Sequence, residues 1–83
     1  MTPHENFVSI MSSQIGKSVD APNSYTGAYR KYRVSETRLE NGNIEEEYKR
    51  GKRCRHFFEI DNKSSIIVGW RFEGSEKDCA IVP

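Results

Sequence analysis

The sequence has only two cysteines, one tryptophan and three prolines, and it lacks a long hydrophobic run. No apolar stretch approaches the roughly 20 residues of a membrane-spanning helix, so the sequence predicts none. No signal peptide is visible in the sequence. An excess of one charge is also missing. Thirteen basic and twelve acidic residues give a net charge of +1, which argues against a dedicated nucleic-acid binder.

Patterns that carry chemistry are scarce as well. The spacing around the two histidines, His4 and His56, indicates no catalytic triad. A metal site built from Cys54, His56 and Cys79 would lack a paired-cysteine motif and a fourth ligand. Residues 16–18, Gly-Lys-Ser, lack the earlier glycine of a phosphate-binding loop. We therefore expect no enzyme, no cofactor and no metal.

A helix over residues 3–15 is marked at both ends. Thr2 and Glu5 fit a capping box, and Pro3 suits the first helical position. Gly16 fits a left-handed stop. Apolar residues recur every four positions and must dock on another element, because a helix this short is marginal alone. This stripe consists of Phe7, Met11 and Ile15.

Strand patterns follow the helix. The expected strands lie at about residues 28–39, 43–50, 53–60 and 66–73. The chain of 83 residues makes one domain, residues 1–83. The predicted fold class is α+β, with one N-terminal helix packed on a four-stranded antiparallel meander. Trp70 should lie under the helix.

Turn signals predict the register of the first two hairpins. Asn41-Gly42 is typical of a two-residue type I′ turn, which would place Leu39 opposite Ile44. The next turn could have two residues, 51–52, or three, 50–52. Three would keep one continuous apolar face, with Tyr48 opposite Cys54.

The last hairpin has a five-residue loop, 61–65, in this interpretation. Its register directs the apolar side chains of both strands to one face, since strand side chains alternate. The expected opposite pairs are Ile60 and Ile66, Phe58 and Val68, His56 and Trp70, Cys54 and Phe72. On the other face Phe57 would cover Gly69.

The two cysteines frame this hairpin. The chain leaves the last strand at Glu73-Gly74 and reaches Cys79 five residues later, which is enough chain to return beside Cys54. A Cys54–Cys79 disulfide would stabilise the fold by about 3 kcal/mol in the loop-entropy model. Two buried, unpaired cysteines are the alternative. A bridge would indicate an oxidising compartment.

Two stretches resemble a known group of proteins. "CRHFFEIDNKSSIIVGWRFEGSEKDC" and "HENFVSIMSSQIGKSVD" resemble parts of small bacterial envelope lipoproteins that end in a cysteine, an alternating strand, a "W-[RS]-[YF]-E-G" strand and a final cysteine. The resemblance covers His4 to Asp20 and Tyr32 to Cys79. In architecture the chain is similar to the small protein A family of outer-membrane lipoproteins, although those carry two helices before the strands. The resemblance implies the periplasmic face of the outer membrane, an acyl anchor upstream of Thr2, and no catalytic residue.

Two basic clusters are candidate binding sites. The first is Lys49, Arg50, Lys52, Arg53 and Arg55. It could bind phosphates of nucleic acid or of lipid headgroups, or it could be a solvated turn balanced by the glutamates at residues 45–47. The second, at residues 30–33, interleaves basic residues with Tyr29 and Tyr32, as single-stranded nucleic-acid sites do and as exposed strands also do.

These observations favour a non-enzymatic envelope domain that binds another envelope protein through the exposed sheet face or the edge of the first strand. The membrane would be reached only through the lipid anchor. The alternative is a small cytoplasmic nucleic-acid-binding domain that uses both basic clusters. A secreted inhibitor of another enzyme comes third. The charge balance and the placement of the cysteines favour the first hypothesis.

Overall fold

The computed structural model describes residues 1–83 and shows an α+β fold. Its helical elements are α1 (Pro3–Ser12), α2 (Tyr25–Tyr29) and a 3₁₀ turn (Arg30–Tyr32). Its strands are β1 (Ser35–Arg38), β2 (Ile44–Arg50), β3 (Cys54–Ile60) and β4 (Ile67–Glu73). They form one antiparallel sheet in the order β1-β2-β3-β4. The predicted N-terminal helix and four-stranded meander are confirmed. None of the helices is long and apolar enough to cross a membrane.

The capping box of α1 is present as predicted. The Thr2 hydroxyl accepts the Glu5 N–H at 3.1 Å, and the Glu5 carboxylate accepts the Thr2 N–H at 2.7 Å. Pro3 occupies the first helical position, where its missing N–H costs nothing. These contacts fix the start of the helix at the residue that the sequence predicted.

The end of α1 differs from the prediction. The helix stops at Ser12, and residues 13–16 form a tighter turn. The Ser13 hydroxyl donates to the Ile10 carbonyl at 2.6 Å, a side-chain bond that competes with regular helix. Ile15 consequently leaves the apolar stripe and is 48% exposed, whereas Phe7 and Met11 are fully buried.

The first strand is shorter than predicted, because residues 25–32 are helical. Ser24 begins α2 as an N-cap whose hydroxyl accepts the Gly27 N–H at 2.9 Å. The tyrosine and basic residues at 29–33 therefore do not belong to a strand, and β1 begins only at Ser35. The prediction of a strand over 28–39 is wrong at its N-terminal half.

The first hairpin has a three-residue loop instead of a type I′ turn. Arg38 lies opposite Ile44. Leu39 accepts the Gly42 N–H at 2.9 Å and donates its own N–H to the Asn43 carbonyl at 2.8 Å. Of the two residues expected at positive φ, only Gly42 has it, at +89°. This geometry is typical of a turn followed by a glycine bulge.

The middle turn has three residues, but they are 51–53 and not 50–52. Arg50 lies opposite Cys54, and Tyr48 lies opposite His56 instead of Cys54. The pairing is displaced by an even number of residues from the expected one. Each side chain therefore stays on its predicted face, because the side-chain period of a strand is two.

The last hairpin contains a bulge that the sequence did not reveal. Phe58 lies opposite Trp70 and His56 opposite Phe72, while Ile60 pairs with Ile67 across a register shift next to Glu59. The backbone of Ile67 is held by the preceding connection: its carbonyl accepts the Gly16 N–H at 2.8 Å, and its N–H donates to the Lys17 carbonyl at 2.9 Å. The extra residue is accommodated as a bulge. As a result, the expected pairs of these strands are wrong in register, and Val68 is 45% exposed.

Phe57 is also placed differently from the prediction. It lies opposite Arg71 and not Gly69. The Arg71 guanidinium carbon is 3.7 Å from the centroid of the Phe57 ring, a cation–π contact that covers the ring on the open face of the sheet.

One face of the sheet carries the core. Phe7 of α1 packs edge-on against Trp70 and Phe72, with ring centroids 5.7 and 5.8 Å apart. Tyr25 of α2 packs against Tyr48 and Phe58 at 5.2 and 5.6 Å. The indole N–H of Trp70 donates to the Ser12 hydroxyl at 3.1 Å. Trp70 therefore lies against the helix as expected, but at its margin and half-buried.

Candidate functional site

Cys54 and Cys79 form a disulfide, with their Cα atoms 5.2 Å apart. The prediction of this bridge is confirmed, and the alternative of two unpaired cysteines is wrong. Gly74, at a φ of +135°, makes the return possible, because a Cβ there would collide with the Arg53 carbonyl oxygen. The tail is further held by a 2.8 Å hydrogen bond between His4 Nδ1 and the Cys79 carbonyl. Both sulfurs are thereby removed from nucleophilic or metal chemistry.

The first basic cluster gathers at the turn between β2 and β3. Four of its five residues share this end of the sheet and are called here the hairpin-end patch: Lys49, Lys52, Arg53 and Arg55. An open cavity of about 220 Å³ lies there. Its lining residues are Lys52, Arg53, Arg55, Glu73 and Gly74. The fifth predicted residue, Arg50, points to the helical face, where its Nε donates to the Ala80 carbonyl at 3.0 Å.

Most cations of the hairpin-end patch have no acidic partner. Arg55 pairs with Glu47 at 2.8 Å, but Lys49, Lys52 and Arg53 form no ion pair. Lys49 lies directly opposite Arg55, and like charges in that arrangement are destabilising. The fold thus tolerates an electrostatic cost and presents an unbalanced positive surface that attracts anions.

The second basic cluster has a structural role instead. Arg30 and Arg33 bind the same oxygen of Glu46, at 2.8 and 2.9 Å, and the Tyr48 hydroxyl donates to the other oxygen at 2.9 Å. Glu46 is fully buried, and a buried carboxylate requires such partners. Burial and the nearby Glu46 charge raise the pKa of Tyr48. We call these four residues the Glu46 cluster.

Lys31 is the remaining cation of the second basic cluster. Its ammonium group lies 5.2 Å from the ring centroid of Tyr32 and forms no ion pair. The cluster therefore offers a single free cation, beside a tyrosine that is 64% exposed. A single free cation is a small part of what a phosphate-tracking surface needs.

The three consecutive glutamates of β2 do not act together. They were expected to balance the basic turn, but only Glu47 does so, through Arg55. Glu45 pairs with Arg71 at 2.8 Å on the open face, and Glu46 points into the core. Strand alternation was the signal for this difference, because Glu46 shares a face with its second neighbours on β2.

His56 lies at the centre of the core. It is fully buried, and neither ring nitrogen has a hydrogen-bond partner in the protein. Tyr25 and Tyr48 flank it, with ring centroids 4.9 and 5.7 Å away. Burial, with a smaller contribution from the Arg50 charge, lowers the pKa of His56 to about 4. A neutral ring with no cavity beside it is not placed to act as a general base.

No three His, Cys, Asp or Glu side chains converge so that they could hold a metal ion. Among the predicted contact surfaces, the open face of the sheet carries charges that are paired with each other. Arg71 bridges Glu45 and Glu73 at 2.8 and 2.9 Å. The edge of β1, in contrast, is exposed along its whole length.

Comparison of the chain with protein-family models, with curated proteins and with solved structures finds no match. The resemblance to small envelope lipoproteins therefore stays a prediction.

Proposed function

We propose that this chain is a non-enzymatic domain that binds another envelope protein through the hairpin-end patch. The observation that carries this proposal is a set of cations without acidic partners at one end of the sheet: Lys52 and Arg53, which line the open cavity, and Lys49 on β2. Surface cations in globular proteins are usually offset by neighbouring carboxylates. An uncompensated group at one end of the sheet supports a role in attracting an anionic partner surface.

The non-enzymatic part of the proposal is supported by the state of the reactive side chains. Cys54 and Cys79 are joined, His4 is hydrogen-bonded to the C-terminal tail, and His56 is enclosed by aromatic rings. The lining of the cavity is basic apart from Glu73 and Gly74 and includes no cysteine, serine, threonine or histidine.

The envelope part is supported by the disulfide, because structural disulfides persist mainly in oxidising compartments. We propose the periplasmic face of the outer membrane, with attachment through the lipid anchor that the resemblance implies. The partner is then a protein of the same compartment that presents acidic side chains. Charge complementarity of this kind raises the association rate and selects the partner.

A nucleic-acid ligand is the second candidate, favoured by the free Lys31 and the exposed Tyr32. Counterion release requires several phosphate contacts for useful affinity. Arg30 and Arg33 are bound to Glu46 and Arg55 to Glu47, so the two basic clusters together keep four cations free of a carboxylate and of a carbonyl contact, fewer than the roughly 6–10 phosphate contacts of a strongly salt-dependent binder. This distribution favours the protein partner.

The proposal is tested by site-specific photo-crosslinking in cells of the source organism. A photoreactive residue replaces Lys52 in the hairpin-end patch, and a control replaces Lys63, an exposed lysine in the loop between β3 and β4. We expect a discrete adduct at position 52 that protease removes and nuclease leaves intact, and no such adduct at position 63. The absence of an adduct at position 52, or one that nuclease removes, would contradict the proposal.

A further inference from the structure

The outer side of β1 is an unpaired sheet edge. All four of its residues are exposed, and β2 is its only neighbouring strand. The Leu39 N–H donates to the Asn43 carbonyl, and hydrogen-bonded pairs alternate along an antiparallel ladder. The backbone N–H and C=O groups of Glu36 and Arg38 therefore point away from β2. Such an edge is a template for one more strand.

The two outward residues carry opposite charges, and this selects what can pair there. If a second copy of β1 approaches antiparallel, pairing Glu36 with Glu36 places two carboxylates side by side. Pairing Arg38 with Arg38 places two guanidinium groups side by side. Only the register that pairs Glu36 with Arg38 brings opposite charges together, and it does so twice because of the symmetry.

We propose that β1 pairs with β1 of a second copy of this chain in that register, about a twofold axis at Thr37. Each copy contributes the N–H and C=O groups of Glu36 and Arg38 to the new ladder. Thr37 faces Thr37 of the second copy, a cross-strand pair that favours sheet formation. The two sheets join into one continuous sheet. The interface is small, so the dimer is weak and forms only at high local concentration.

The charges of the edge are available for this contact. The closest cation to Glu36 is Arg33, at 3.9 Å, and Arg33 is already bound to Glu46 at 2.9 Å. Arg38 makes only a 3.4 Å hydrogen bond to the Gly42 carbonyl and no ion pair. Neither side chain has to give up a strong contact when the second copy binds.

Charge exchange tests the register. Sedimentation velocity over a concentration series measures the association of the wild type and of three variants. Glu36→Arg alone and Arg38→Glu alone should each weaken self-association by about tenfold or more, because like charges then face each other. The double variant Glu36→Arg with Arg38→Glu should associate like the wild type, and an equimolar mixture of the two single variants should recover association as a heterodimer.

Lys77→Glu is the control, since it changes net charge as much as Arg38→Glu and lies in the exposed turn after β4, the strand at the opposite edge of the sheet from β1. It should leave association unchanged, and circular dichroism should show that every variant is folded. A wild type that stays monomeric up to about 1 mM, the weak limit of specific association, would overturn the proposal. Association that ignores the single substitutions, or that the mixture does not restore, would overturn it as well.

An independent measurement locates the twofold axis. Residues facing each other in a non-hydrogen-bonded pair have Cα atoms about 4.5 Å apart, within disulfide reach. Thr37→Cys should therefore form an interchain disulfide under mild oxidation. Ser35→Cys should not, because its position lies opposite residue 39 of the second copy. Equal cross-linking at both positions would contradict the proposed register.

Discussion

Two groups of basic residues lie on this small domain and behave in opposite ways. Arg30 and Arg33 form ion pairs with the buried carboxylate of Glu46. Lys52 and Arg53 at the hairpin end have no carboxylate within ion-pair distance. In sequence the two groups look alike. The difference shows that the role of a basic cluster depends on which acidic residue the fold places beneath it.

The Glu46 cluster also explains how α2 and the 3₁₀ turn are attached to the sheet. Where α1 docks, the contacts are apolar, as between Phe7 and Trp70. Where α2 and the 3₁₀ turn meet the sheet, Arg30 and Arg33 bind a charge inside the core. Breaking a buried pair is costly because it leaves an unpaired buried charge. The stability of the fold should therefore fall when Arg30 and Arg33 are replaced by uncharged residues.

The sharpest test of the comparison removes two cations from each region. Arg30→Ala with Arg33→Ala leaves Glu46 buried without a cation and should lower the free energy of unfolding by about 3–5 kcal/mol. Lys52→Ala with Arg53→Ala should change it by no more than about 0.5 kcal/mol, as is usual for exposed positions. Urea denaturation followed by circular dichroism measures both.

Glu46→Gln separates the effect of the buried charge from that of its hydrogen bonds. The amide keeps hydrogen-bonding capacity and removes the buried charge, so this variant should lose less stability than the double arginine variant. Equal decreases in the free energy of unfolding for the Arg30–Arg33 variant and the Lys52–Arg53 variant would show that the two regions do not differ.

Acid should destabilise the aromatic core around His56. The pKa of His56 is about 4 in the folded chain and 6.5 ordinarily, so the unfolded chain binds the proton at higher pH. Stability is fully present above pH 6.5 and falls as the pH drops from 6.5 towards 4, by about 3 kcal/mol in total. Urea denaturation at pH 7, 5.5 and 4.5 should show this slope.

His56→Phe should remove most of that slope, because an apolar ring has no proton to bind. His4→Gln is the matched control, since it removes the other histidine of the chain and should leave the slope in place. A pH dependence that survives in His56→Phe and disappears in His4→Gln would contradict the assignment.

The disulfide ties the start of β3, next to the hairpin end, to the C-terminal tail, and its loss should lower the stability of the fold. It closes a span of 25 residues between β3 and the tail, which corresponds to about 3 kcal/mol in the loop-entropy model. Cys54→Ser with Cys79→Ser should lower the unfolding midpoint, and reduction of the wild type should lower it to the same extent. A midpoint that is insensitive to reduction would mean that the bridge does not contribute to stability.

The architecture could be predicted from the sequence wherever the signals lie in neighbouring residues. The capping box at Thr2 and Glu5 fixes the helix start. Strand alternation selects the face of each side chain, and in β2 and β3 it selected correctly even though the pairing was displaced. At the start of β4 it failed, because the bulge buries Ile67 and exposes Val68. The position of Cys54 at the end of its strand, with Cys79 five residues after Gly74, allowed the disulfide to be predicted.

Contacts between residues far apart in the chain determine the features that could not be predicted from the sequence. The bulge in β4 depends on Ile67 pairing with Lys17, which is far away in the chain. Residues 30–32 are helical, and in this conformation Arg30 and the following Arg33 both contact Glu46. Nothing local in these residues distinguishes a basic exposed strand from a basic segment docked on a buried carboxylate, and so the candidate sites could be located only in part.

We propose that the hairpin-end cations serve a protein partner and not nucleic acid. A fluorescence-anisotropy titration with single- and double-stranded oligonucleotides over a salt series tests this most directly. With Arg30, Arg33 and Arg55 held by glutamates, the predicted Kd at physiological salt is on the order of 10⁻⁴ M or weaker. Tight binding that weakens steeply with salt and is lost in Lys52→Ala with Arg53→Ala would contradict the account.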